Sequence, residues 1–318
     1  MYIINSRELN RHDLSQWDTL VDHSVHGTIF HKTGWLDACA QSLGKKFQIF
    51  GSFQDDILVG GCTLFVQKKW GVVPVANSTC SMTPYGGFVL SSSPTTSVRK
   101  QETFFKQIIE SLLKEIKKKY FFSISIANSP GFHDIRPFTS DGWGSEVCYS
   151  YYINLENDLE SHIDPSVRKN IRKAEKNRII IEHFSDISRY YTLLCEMYAR
   201  KNLSPPPSKR LFIELYSFIR NQNCGEMVVA KTPDDEITCA EINIWDNRQA
   251  YSWTAASDAR FLSSGATSLL RFNMIKRMQE QGILKMDMMM GIIPQLSKFA
   301  TRLNPALVPY YKIHKRIF

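Results

Sequence analysis

Apolar residues recur at helical spacing at Leu14, Trp17, Leu20 and Val21, which predicts a first helix over 13–24. A second helix starts in the run 35–40 and is closed by Gly44, the residue suited to a left-handed C-cap. Two strands, 46–53 and 57–67, flank a turn at Gln54-Asp55-Asp56, and extended segments follow at 72–75 and 88–90. The stretch 102–120 places Phe105, Ile108, Ile109, Leu112, Leu113 and Ile116 on one side. It ends in Lys117, Lys118 and Lys119, cations that suit the C-terminal end of a helix dipole. A strand over 121–127 completes this half.

The second half repeats the plan. Strands at 227–231 and 237–245 enclose another Asp-Asp turn, Asp234-Asp235, and a strand over 249–255 follows. A helix over 264–281 stops at Gly282, and 284–288 reads as the closing strand. Hairpin, strand, helix and strand thus occur twice in one order, and both second hairpin strands carry a small pair, Gly60-Gly61 and Cys239-Ala240. Between the halves, 153–159 reads as a crossing segment. Asp164-Pro165-Ser166 then starts a helix to about residue 177, since proline is tolerated in a first turn. A further helix over 187–201 ends before Pro205-Pro206-Pro207, a stiff loop. The expectation is an α/β (α+β) protein of two duplicated lobes, 1–152 and 153–318.

Charge adds a second layer. The net charge of +8 is concentrated in Arg168, Lys169, Arg172, Lys173, Lys176 and Arg178, and in Lys298, Arg302, Lys312, Lys315 and Arg316. Such patches suit nucleic acid, a pyrophosphate-bearing donor or an anionic membrane face, or else form a plain solvated surface. No run of about 20 apolar residues is present, and the first residues lack the basic flank and apolar stretch of a signal peptide. A cytoplasmic protein is expected, with peripheral contact to an anionic membrane left open. The seven cysteines are scattered without a CxxC pair, and His23 and His26 have no ligand cluster beside them, so no metal is expected.

Several motifs then carry a resemblance. Pro84-Tyr85-Gly86-Gly87 looks like the PYGG signature of FemAB-like transferases, and the stretch 166–176, Ser-Val-Arg-Lys-Asn-Ile-Arg-Lys-Ala-Glu-Lys, resembles their basic helix. The run 251–257, Gly265 to Gly282 with Met286-Asp287, and 296–304 with Tyr310-Tyr311 are similar to further landmarks in the same order. The resemblance implies two tandem GNAT-like lobes, each a mixed, mostly antiparallel sheet flanked by helices, with a cleft between them. It implies an acyltransferase with no permanently bound cofactor, using acyl-CoA or aminoacyl-tRNA as co-substrate. The implied acceptor is a nucleotide- or lipid-linked glycan or peptide. The sequence departs from the pattern at Ala300, where the family motif has lysine, and Lys298 and Arg302 are the flanking candidates to supply that charge. In the segment 260–266, Ser263 replaces the first glycine of the usual phosphate loop, leaving Ser264, Gly265 and Ala266 at a helix start to hold donor phosphate on backbone N–H groups.

Against that background individual residues take candidate roles. Alternation along 237–245 puts Glu241 and Asn243 on one face, as general base and acceptor contact or as a plain solvent face. Tyr251 and Trp253 share a face of the next strand, flooring a substrate pocket or packing in the core, with Tyr251 a candidate oxyanion donor. Lys298 joins Glu241 and Tyr251 as the third candidate catalytic residue. Tyr85, Gly86 and Gly87 would let backbone approach a substrate, and Asp287 would orient a hydroxyl or cap a loop. Arg168 and Arg172, four apart on one helix face, would share a phosphate or stay surface charge, with Arg302 beside them as a further substrate contact. Three functions follow as expectations: an aminoacyl-tRNA-dependent transferase, an acyl-CoA-dependent N-acyltransferase in cell-envelope or polysaccharide synthesis, and a non-catalytic basic binding module.

Overall fold

The computed structural model describes residues 3–156, 158–289 and 294–316, the side chains of 162 and 294–296 excepted, so the motif residue Leu296 lies outside the described side chains. Two compact units form, Met1–Cys148 with Pro309–Phe318, and Tyr149–Val308.

The first unit opens with β1 (Asn5–Glu8), α1 (Leu14–His23) and α2 (Thr33–Leu43), the latter ended by Gly44 at φ +61°. β2 (Lys46–Gln54) and β3 (Ile57–Lys69) form a hairpin whose Asp55 and Asp56 both have positive φ, as its tight turn requires. β4 (Val73–Asn77), β5 (Gly87–Leu90), α3 (Val98–Lys117), β6 (Ser123–Ala127) and a short α4 (Arg136–Thr139) follow. α3 buries Phe104, Ile108, Ile109, Leu112, Leu113 and Ile116 against Phe50, Leu64, Ile124 and Ile126 of the sheet. Each such side chain contributes about 1.5–3 kcal/mol relative to exposure.

The chain then enters β7 (Gly144–Asn154), where the sequence reading had only a crossing segment from residue 153. Most of its residues before Ser150 are exposed, so the strand lacks the apolar alternation that would reveal it. The second unit continues with α5 (Leu159–His162), α6 (Pro165–Lys176), β8 (Ile180–His183), α7 (Ile187–Arg200) and α8 (Lys209–Asn221). β9 (Gly225–Lys231), β10 (Ile237–Trp245), β11 (Ala250–Ser257), α9 (Ala266–Glu280), β12 (Lys285–Asp287) and α10 (Pro294–Ala300) complete it.

The last strand, β13 (Ala306–Arg316), pairs antiparallel with β6, Lys312 opposite Ala127 and Arg316 opposite Ser123. Its Ile313 is fully buried in the core of the first unit. That pairing is why 309–318 belongs to the first unit, whereas the sequence reading ran the second lobe to residue 318.

In the first unit the strand order is β1-β2-β3-β4-β6-β13 with β5 on β3, and in the second β7-β12-β11-β10-β9-β8. Each contains one parallel pair among its described strands, β4/β6 and β11/β12, and the rest are antiparallel. A parallel pair needs a crossover, which α3 and α9 supply. The repeated order read from the sequence is therefore a duplicated architecture of mixed, mostly antiparallel sheets flanked by helices.

Candidate functional site

In the second unit, β11 and β12 pair only at Ala250 with Met286 and at Tyr251 with Asp287, after which β11 continues to Ser257. No described strand pairs with that side of β11 past Tyr251. On its other side the register with β10 shifts: Ile242 opposes Thr254 and Asn243 opposes Ser252, so Trp253 is the extra residue of a bulge. Trp253 is 5% exposed and packs on Phe212 of α8, ring centroids 5.8 Å apart.

β11 leads through a short turn to α9, whose first turn rests on Gly265 at φ +87°. A Cβ there would lie 2.2 Å from the Asn170 carbonyl of α6, so only glycine lets the two helices meet. Ser264 Oγ accepts the Ala266 N–H at 3.1 Å and donates to the Phe261 carbonyl at 2.7 Å. Of the three residues expected to hold phosphate, Ser264 thus already occupies the N–H of Ala266, just ahead of the N-cap Gly265.

The β10 face carrying Glu241 and Asn243 is covered rather than solvated. Glu241 is 2% exposed, and its carboxylate meets the Arg271 guanidinium of α9 at 2.9 Å. Ser252 Oγ donates to Glu241 Oε1 at 3.4 Å, and Arg271 also donates to Ser252 Oγ. Burial pushes the Glu241 carboxyl above its ordinary range, with Arg271 and then Ser252 pulling the other way. Asn243 is fully buried, and neither its amide oxygen nor its nitrogen has a hydrogen-bond partner among the described residues. The solvent-face alternative for this strand is thereby corrected: α9 packs over it.

The Tyr251 hydroxyl is also engaged. It donates to Asp246 Oδ2 at 2.6 Å and accepts from Gln249 Nε2 at 2.7 Å, in a fully buried position that raises its pKa well above the phenol range. Beside it in register, Asp287 is fully buried and accepts Ser150 Oγ at 2.5 Å and the Met289 N–H at 2.8 Å. Tyr152 of β7 lies beside Gln249 and Asp287, and its burial first, then the Asp287 charge, raise its pKa. Ser150, Tyr152, Asp246, Gln249, Tyr251 and Asp287 therefore form one polar cluster where β11 and β12 part. Tyr152 also borders a cavity of about 170 Å³ walled by Ile163, Phe272, Ile275 and Leu303.

The basic candidates separate. Arg168 donates to the carbonyls of Ile163 at 2.8 Å and Glu160 at 3.0 Å, closing the end of α5, while Arg172 one turn on is exposed. Lys298 and Arg302 are exposed and Ala300 between them is fully buried, so neither cation points into the position Ala300 fills. In the first unit, Tyr85 is 1% exposed and packs edge-on against Tyr310 at 5.1 Å. A Cβ on Gly86 would stand 2.1 Å from the Ser78 carbonyl, and Gly87 has φ +84° with Ile126 2.3 Å from its Cβ position. The PYGG run serves close packing there.

Arg271, Ser150, Tyr152, Asp246 and Gln249 had no role in the sequence reading. Arg271 did leave a signal: it shares an i, i+3, i+7 stripe with the buried Met274 and Met278, a charge in a core register. The other four sit on a strand without clear alternation or in the turn between β10 and β11, where local pattern carries no information.

Residues 165–294 match the family model of the acetyltransferase (GNAT) domain. No curated protein matches the chain. Among solved structures, FemX shares the fold with a TM-score of 0.74 at 11% identity, over 97% of this chain and 96% of that one. L-PGS from Bacillus licheniformis has a TM-score of 0.58 at 11% identity, covering 98% and 94%. A tandem GNAT protein from the clavulanic acid biosynthesis pathway gives 0.55 at 9% identity, covering 98% of each chain. Residues 165–294 thus carry a GNAT-type domain, and the chain as a whole shares its fold with FemX and with a tandem GNAT protein.

Proposed function

We propose that this protein is an N-acyltransferase, moving an acyl or aminoacyl group from a thioester (acyl-CoA) or aminoacyl-tRNA to an amine on a cell-envelope precursor or amino sugar. The observation that carries the reading is the parting of β11 from β12 after Tyr251 and Asp287, with an edge of β11 that no described strand pairs leading to the start of α9. An extended, amide-rich donor arm pairs with such an edge as an added strand, and its phosphates gain from the helix start at its end. The GNAT match over 165–294 supports the same placement.

The carbonyl to be attacked then sits where the strands part, against the cluster of Tyr152, Asp287 and Ser150. Rate acceleration there comes first from holding amine and carbonyl together, since Glu241 is paired with Arg271 and Tyr251 with Asp246. Asp287 is the group placed to orient the acceptor, with Arg172, Lys298 and Arg302 as outer contacts for an anionic donor or acceptor. No described helix is long and apolar enough to cross a membrane, and we place the reaction in the cytoplasm, in peripheral contact with an anionic membrane face where the acceptor is lipid-linked.

A donor screen tests this. The purified protein is incubated with a panel of acyl-CoAs and aminoacyl-tRNAs plus simple amino sugars, and products are read by mass spectrometry. Label in an amide product is the expected result, and the donor that delivers it fixes the subtype. The second reading, a non-catalytic basic module, is favoured by the occupied side chains of Glu241 and Tyr251. It prevails if neither donor class is consumed or raises the melting temperature.

A further inference from the structure

Helix α2 and the turn before Pro84 bring two thiols onto one hydroxyl. Thr83, 2% exposed, has its Oγ1 at 3.4 Å from Cys39 Sγ and 3.5 Å from Cys80 Sγ, and it accepts the Trp35 indole N–H at 2.9 Å. The shared Thr83 hydroxyl therefore holds the two sulfurs as neighbours. Cys39 is fully buried under α2, while Cys80 is partly open to solvent at a bridge with Thr83 closed through Met82 at φ +65°.

We propose that Cys39 and Cys80 form a peroxide-reactive dithiol, a site of reversible covalent modification outside the transferase centre. The Cys80 thiolate attacks a peroxide oxygen, forming an S–O bond as the O–O bond breaks and hydroxide leaves, which gives a sulfenic acid. The Cys39 sulfur then attacks that sulfur. The S–O bond breaks, water leaves with the Cys39 proton, and a disulfide remains. Over both steps two thiols are oxidised and one hydrogen peroxide is reduced to two waters.

The asymmetry of the pair supports this order. The neighbouring Cys39 thiol lowers the Cys80 pKa against burial, with Thr83 and Lys45 adding to it, while the same neighbour and burial raise Cys39. A partly accessible thiolate beside a buried resolving thiol is the arrangement that favours capture of the sulfenic acid over further oxidation. The bond would tie α2 to the turn leading into Pro84-Tyr85-Gly86-Gly87.

The test treats reduced full-length protein with a small excess of hydrogen peroxide, alkylates remaining thiols and maps tryptic peptides. The expected result is loss of two of the seven thiols, with peptide 33–45 joined to peptide 70–99 and both restored by dithiothreitol. Cys80→Ser should abolish the linked peptide. Cys39→Ser should leave Cys80 as a sulfenic acid captured by dimedone. Since Cys39 is buried and its variant can fail to fold, the wild-type map stands alone as a test. Oxidation of Cys80 without the link, or faster oxidation at Cys62, Cys148, Cys195, Cys224 or Cys239, overturns the proposal.

Discussion

Glu241 of β10 and Arg271 of α9 form a 2.9 Å ion pair from which solvent is nearly absent, the two side chains being 2% and 3% exposed. Ser252 shares both partners, bonding to the carboxylate and the guanidinium. The pair locks the helix that follows the candidate donor strand onto the sheet, so it governs where α9 begins.

Breaking one half leaves a buried charge alone. Arg271→Met should therefore cost about 3–5 kcal/mol, and Glu241→Leu combined with it should recover much of the loss. Urea unfolding of the single and double variants measures both. A single variant as stable as wild type would show that the pair is not buried in solution.

Tyr251→Phe removes a hydroxyl that two buried groups already use. Stability should fall by about 1–2 kcal/mol as Asp246 and Gln249 lose a partner. Acyl transfer should stay within about tenfold of wild type, because removing an oxyanion donor typically costs 100-fold or more. A larger loss in kcat at unchanged stability would restore the oxyanion role.

Gly265→Ala forces a side chain into the Asn170 carbonyl at a positive φ. We expect a loss of at least about 2 kcal/mol, with α6 and α9 pushed apart. Thermal unfolding reads the first effect, and a raised KM for the donor reads the second.

Arg7 holds Asp13 through two hydrogen bonds of 2.5 and 2.8 Å, and the Asn10 N–H adds a third at 2.8 Å. These contacts, Arg7 foremost, keep the Asp13 carboxyl below its ordinary pKa against burial. A depressed folded pKa gives stability that is present above the unfolded value and lost as pH falls through the folded one. Asp13→Asn should cost about 1 kcal/mol at neutral pH, Arg7 being half exposed, and the gap should close as pH falls through the lowered folded value. Denaturation midpoints measured across that range check the sign.

Arg172 and Arg168 should behave differently although they lie one turn apart. Arg168→Ala should lower stability by about 1 kcal/mol, since its guanidinium closes α5. Arg172→Glu should leave folding unchanged and weaken binding of a polyanionic donor, with a shallower salt dependence. Equal effects of the two on binding would merge their roles again.

The hairpins and most of the longer helices were legible because their signals are local, whereas α8, with its stripe of Leu211, Phe212, Leu215, Tyr216 and Ile219, was not read. The α3 stripe is amphipathic over its whole length, Gly44 stops α2, and the aspartates of the 54–56 turn tolerate positive φ. β7 and β13 escaped because a strand with a largely exposed first half has no clear alternation to read. The motif run at 84–87 was visible as a pattern, but its packing role depends on Ser78, Ile126 and Tyr310, all distant in the chain.

The sequence by itself determined the duplicated order of elements, the position of the basic helix and the glycine at the start of α9, since periodicity and backbone freedom are properties of neighbouring residues. Only the tertiary structure decided which polar groups are buried together. Glu241 meets Arg271 thirty positions away and Asp287 meets Ser150 of the neighbouring strand, and such pairs form because α9 packs over β10 and β7 pairs beside β12, partners that the residues of those strands cannot announce.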